Sequence, residues 1–259
     1  MTIHRSGRAF GCGLLALTMT LAAQARAVDG VIEINQARAT KGGITPGDTP
    51  GFPITISTGA LSEPMSFRLT GPLLISTTDN AIEILSPHVT LDLNGFMITC
   101  MNPPCTGSGI LSSQDNITVM NGTVRGFDDG VNTSGSGALV ENVRALDNAS
   151  VGVRVGNDCT VRNNIASDNG TEGIRVLLGC TVSGNTVNNN QITGICTGLG
   201  SNVFGNTVRG NKDFGLNLTP DTGYSQNVIT GNTLGTVFSG FPTGINLCRN
   251  GNDPITTCP

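Results

Sequence analysis

Two arginines, Arg154 and Arg175, stand 21 residues apart, each two places after a glycine and each between apolar neighbours. A guanidinium presents a bidentate fork to a carboxylate, so the pair could grip an acidic ligand if both lie on one face. Asn132 and Asn217 occupy the same offset after Gly130 and Gly215, and Cys196 occupies it after Gly194. Carboxylates form a second set: Asp128, Asp129, Asp147 and Asp168, with Glu172 close by. Clustered oxygens of this kind suit Ca2+, while Asp also recurs at corners simply because it suits tight turns. His88 is the single histidine beyond residue 27 and no Cys-x-x-Cys occurs, so neither a zinc nor a dithiol redox site is expected.

The cysteines carry chemistry of another kind. Cys100 with Cys105 and Cys248 with Cys258 are short-range pairs expected as disulfides that staple an insertion and the C-terminal tail. Cys159 and Cys180 share one offset in adjacent repeats and are expected either to bridge or to stack as buried thiols. Cys196 is left over.

Disulfides imply an oxidising compartment, and the N-terminus agrees. Arg5, Arg8 and Arg26 frame an apolar run from Gly11 to Ala23 that ends at Ala25-Arg26-Ala27. This is the layout of a removable secretory signal over residues 1–27, and the expected location is secreted or periplasmic. The run is too short to span a bilayer and no second one follows, so no membrane span is expected. Cleavage there removes three of the 14 basic residues and none of the 18 acidic ones, leaving a formal charge of −7. An acidic surface argues against nucleic acid as a partner.

The elements that must position these side chains follow from a repeat. Gly followed by an apolar residue recurs at Gly109, Gly130, Gly152, Gly173, Gly194 and Gly215, at spacings of 21, 22, 21, 21 and 21 residues. Ala81-Ile-Glu-Ile84 extends the series upstream, and Gly244-Ile-Asn-Leu247 extends it downstream. A fixed period of this length is the mark of a solenoid. Gly-Val-Arg-Val at 152–155 and Gly-Ile-Arg-Val at 173–176 alternate with period two, which makes them strands with one side in a core. Second and third strands recur as Cys-Thr-Val at 159–161 and 180–182 and as Asn-Thr-Val at 185–187 and 206–208. The expected fold is all-β, a single-stranded right-handed parallel β-helix of roughly eight coils with an N-terminal cap.

Asparagines fall in two columns: Asn121, Asn142, Asn164, Asn185, Asn206 and Asn227, then Asn148, Asn169, Asn190, Asn211 and Asn232. Successive coils lie about 4.8 Å apart, so the amides of a column can hydrogen-bond along the axis. Residues 28–80 break the period and are rich in Gly and Pro, which suggests a cap and first coil. Residues 81–247 form the repeats, and residues 248–259 form a tail.

The Gly-apolar-x-apolar and Asn-Thr-Val-x-x-Asn repeats over 81–247, with Val-Thr-Leu-Asp-Leu-Asn-Gly at 89–95, resemble the bacterial right-handed β-helix repeat proteins. That broad group includes pectate-lyase-like and periplasmic copper-maturation proteins, and the resemblance covers about two thirds of the chain. It implies fold far more than activity. The leading expectation is an exported protein that binds polysaccharide through Asn132, Arg154, Arg175 and Asn217. In the pectate-lyase-like enzymes acids hold Ca2+ and an arginine takes the sugar proton. The resemblance therefore implies an alternative, a Ca2+-assisted lyase or epimerase of acidic glycans, with Arg154 or Arg175 as the base and Asp128, Asp129, Asp147 and Asp168 as metal ligands. A third reading is a structural or adhesive surface protein.

Overall fold

Alternation of inward Val, Ile and Leu with outward polar residues leaves each short strand with one face that must be buried, and stacking turn upon turn is how the chain buries it. The computed structural model describes residues 30–57, 65–77, 79–249 and 256–258; the secretion signal expected over residues 1–27 lies outside them. Nine parallel strands, from Ile54–Ile56 through Val153–Val155 and Ile174–Val176 to Gly235–Phe238, form one sheet. The other two strands of each turn join a second, eighteen-stranded sheet. Thr160–Arg162 and Ile165–Ser167, for example, pair in parallel with Thr181–Ser183 and Thr186–Asn188 of the next turn. Inward residues such as Val153, Val161, Ile174, Val182, Val187 and Val208 are fully buried. The result is a parallel β-solenoid of about nine turns.

The repeat alone suggests eight turns. The extra one is the strand Ile54–Ile56, which pairs in register with Ile82–Ile84 although the surrounding Gly and Pro hide its period. The free edge of this first strand is closed by side chains. Thr45 Oγ1 donates to the Thr55 carbonyl at 2.6 Å and accepts from the Ser57 N–H at 3.1 Å, and Asp48 Oδ1 accepts the Thr55 N–H at 2.9 Å. An edge satisfied in this way offers no template for further pairing.

At the other end the structure corrects the alignment. Gly244 does not lead a strand of the nine-stranded sheet; the last such strand is Gly235–Phe238, and Leu247–Arg249 belongs to the eighteen-stranded sheet. Asn246, 3% exposed, is a buried ladder residue that accepts from the Asn227 N–H and Nδ2.

One asparagine column is as expected and the other splits. Asn148, Asn169, Asn190, Asn211 and Asn232 run unbroken, each Oδ1 after the first accepting from the N–H and the amide of the asparagine one turn before, while Asn148 Oδ1 accepts from the Phe127 N–H. Asn164, Asn185, Asn206, Asn227 and Asn246 form the second ladder. Asn121 and Asn142 are not part of it. They stack with Asn163 at an outer corner of positive φ (61°, 54° and 58°), a conformation that Asn tolerates better than most residues. The inner ladder also explains the leading glycine of the repeat: a Cβ on Gly173 would stand 2.6 Å from Asn190 Nδ2, so no larger residue fits against the amide.

Two disulfides, Cys100–Cys105 and Cys248–Cys258, close the insertion and the tail. Among the described residues no helix is long and apolar enough to cross a membrane.

Candidate functional site

Each strand of the nine-stranded sheet turns one residue of a common register outward, and that register aligns Asn132, Arg154, Arg175, Cys196, Asn217 and Phe238 side by side. Neighbours in this row are separated by one strand spacing, about 4.8 Å. Thr55, Glu83 and Leu111 continue the row on earlier turns.

The corner that leads into each strand supplies acids. Asp129, whose side chain is 7% exposed, takes a strong set of donors: Asn132 Nδ2 at 2.9 Å, the Val151 N–H at 3.0 Å, and Arg154 Nε at 2.9 Å with Nη2 at 3.5 Å. Donors of this number and charge fix the carboxylate in place. Arg175 Nη1 reaches Glu172 Oε1 at 2.9 Å, and Glu172 is likewise mostly buried. Asp128 is exposed beside this group. Its carboxyl is held above the ordinary carboxylate range, first by desolvation and then by the charge of Asp129, with Arg154 opposing. The Cys196 thiol is pushed up by burial; Arg175 acts against that shift, while Glu172 and Asp213 add to it.

The structure thus brings Asn132, Arg154, Arg175, Asp128, Asp129 and Glu172 into one patch. It does not bring Asp147 or Asp168 there. Both sit at the start of the corner with positive φ (52° and 60°), and Asp147 pairs instead with Arg125 at 3.1 Å. Their place is that of turn residues. Among the described residues no group of three or more His, Cys, Asp or Glu side chains converges so as to hold a metal ion.

Cys159 and Cys180 are free and buried. The Cys159 N–H donates to Cys180 Sγ at 3.3 Å, and Cys180 Sγ in turn donates to the Gly156 carbonyl at 3.2 Å. Ser201 does the same work one turn on, accepting the Cys180 N–H and donating to the Leu177 carbonyl. Of the two arrangements open in the sequence, the thiol stack is the one formed. The Cys159 thiol is pushed well up by its hydrogen bond with Cys180 and then by burial.

Sequence reasoning missed Asp79, Glu83 and Asp213. Asp213 lies in the backbone column of Asp128, linked through Ser150, Thr171 and Ile192, and accepts the Thr193 hydroxyl at 3.0 Å. Asp79 precedes its strand by the same offset, two places before the leading residue of the turn. Comparing residues at that offset would have found the two aspartates, and Glu83 stands at the offset of the arginine row.

Residues 90–212 match the family profile described as a right handed beta helix region. Among solved structures, the Dettilon tailspike protein is similar at a TM-score of 0.57 and 16% identity, over 69% of this chain and 42% of the tailspike chain. The Azotobacter vinelandii mannuronan C-5 epimerase A-module aligns at a TM-score of 0.49 and 14% identity, over 70% of this chain and 67% of that one. This chain therefore spans less than half of the tailspike's length. No curated protein matches.

Proposed function

Because the chain is a right-handed parallel β-helix repeat protein, we propose that the outward row of its nine-stranded sheet binds an extended polysaccharide outside the cytoplasm. The observation that carries this reading is the register of Asn132, Arg154, Arg175, Cys196 and Asn217. A straight row of polar side chains at one-strand spacing suits a polymer laid along the axis, where successive sugars meet equivalent positions. Export accords with the signal-like N-terminus and with two disulfides. Aromatic stacking is confined to the end of the row, where Phe238 follows Asn217 in register and is 54% exposed; the chain has no Trp and its one Tyr, Tyr224, is buried. Along the rest of the row hydrogen bonds carry the affinity.

Binding is favoured over the Ca2+-assisted lyase reading by the placement of the acids. Asp147 and Asp168 belong to a different part of the corner from the arginines, and both arginines are already engaged.

The test is a glycan array followed by titration of any ligand found, with and without Ca2+. Asn217→Ala and Arg175→Ala are each expected to weaken binding several-fold, while Thr181→Ala on the other sheet leaves it unchanged. Binding insensitive to both row variants would sink the assignment of this face. Unsaturated product from a polyuronate would restore the lyase.

A further inference from the structure

We infer that this face selects uncharged glycans and rejects polyuronates, an inference that rests on the glycan-binding reading above. A row containing two arginines looks at first like a grip for acidic sugars, but each guanidinium is already paired with an acid of its own. Arg154 spends its Nε and Nη2 on Asp129, and Arg175 spends its Nη1 on Glu172. The side chains of those acids are only 7% and 13% exposed. Handing either guanidinium to a ligand carboxylate would strand a buried charge, which is far more costly than the new contact is favourable.

The charge count points the same way. Along the strand row and the corner that leads into it stand Asp79, Glu83, Asp128, Asp129, Glu172 and Asp213, against Arg154, Arg175 and Lys212. The face is therefore net negative by three charges. Asp128 is exposed beside the Arg154–Asp129 pair, so a uronate lying over the pair would meet a carboxylate first. Like charges brought together in this way act mainly to exclude a partner. What remains on offer is neutral in character: the guanidinium N–H groups not turned to the acids, and the amides of Asn132 and Asn217. These donors suit sugar hydroxyls.

The experiment titrates the protein with polygalacturonate and with a neutral β-linked glucan of matched length, at low and high salt. The expected result is measurable affinity for the glucan and affinity on the order of ten-fold or more weaker for polygalacturonate at low salt, with the gap narrowing as salt screens the face. Asp128→Asn combined with Asp213→Asn removes two charges at exposed or half-exposed positions and is expected to raise polygalacturonate affinity while leaving the glucan unchanged. Wild-type protein that prefers polygalacturonate, or a double variant with unaltered preference, overturns the inference and leaves the glycan-binding reading standing. Binding to neither polymer nor to any arrayed glycan takes down both.

Discussion

Replacing Asn190 with alanine tests whether the inner ladder holds the solenoid together. Asn190 Oδ1 accepts from the Asn169 N–H at 3.0 Å and from Asn169 Nδ2 at 2.9 Å, while Asn190 Nδ2 donates to the Ala166 carbonyl at 3.1 Å and to Asn211 Oδ1 at 2.9 Å. The substitution removes all four. Two of the partners keep a second contact: Asn169 Nδ2 still reaches the Ala145 carbonyl, and Asn211 Oδ1 still accepts the Asn190 N–H. The Asn169 N–H, by contrast, loses its side-chain acceptor in a site that is 0% exposed. At about 1 kcal/mol net per buried bond, with more for an orphaned buried donor, the loss comes to about 4 kcal/mol. The assay is urea unfolding followed by far-UV circular dichroism, read as a lower midpoint at unchanged slope. Asn142→Gly is the control. Asn142 sits at φ 54°, which glycine adopts freely, and its amide makes a single exposed contact of 3.3 Å to Asn121 Oδ1; the expected change is below about 1 kcal/mol. If Asn190→Ala costs no more than the control, the ladder is ornament and the apolar interior alone sets stability.

Three further substitutions, at two positions, follow from the polar groups of the solenoid. The Asp128 carboxyl is raised in the folded protein, so the fold disfavours its ionised form. The penalty is absent below the unfolded value of about 4, grows as pH rises through the higher folded value, and is complete at neutral pH. Asp128→Asn is therefore expected to raise the thermal midpoint at neutral pH and to lose that advantage in acid, and a gain independent of pH would contradict the assignment. In the thiol column, Cys180→Ser keeps both an acceptor for the Cys159 N–H and a donor for the Gly156 carbonyl, as Ser201 does naturally, and is expected to be near neutral. Cys180→Val fills the same space but strands the Cys159 N–H, at a cost of about 1–3 kcal/mol, measured by the same unfolding assay.

The strands were legible in the sequence because period-two alternation is a direct statement about burial: Val153 and Val155 face inward because Arg154 cannot. Turn count and ladder membership were less legible, since both depend on alignment to a single residue. Coils of 21 residues place Asn142 beside Asn163, whereas matching it to Asn164 assumes a coil of 22. The patch was half legible. The arginine row follows from a single offset, but the partner of Arg154 is Asp129, 25 residues earlier, at an offset that no strand pattern marks.

That difference indicates where function is written in such a molecule. A column that holds the fold repeats itself, as Asn148, Asn169, Asn190, Asn211 and Asn232 do, because each turn must satisfy the same backbone groups. The column before the leading glycines instead reads Asp129, Val151, Glu172, Thr193 and Phe214. Stacking alone does not require such variety, and it is in this column that Arg154 and Arg175 find their acids. Side chains that depart from the repeat while their backbone keeps to it are free of the structural constraint. On the face of the nine-stranded sheet they include both arginines and their acids, which is why charge selection by that face is the property to measure.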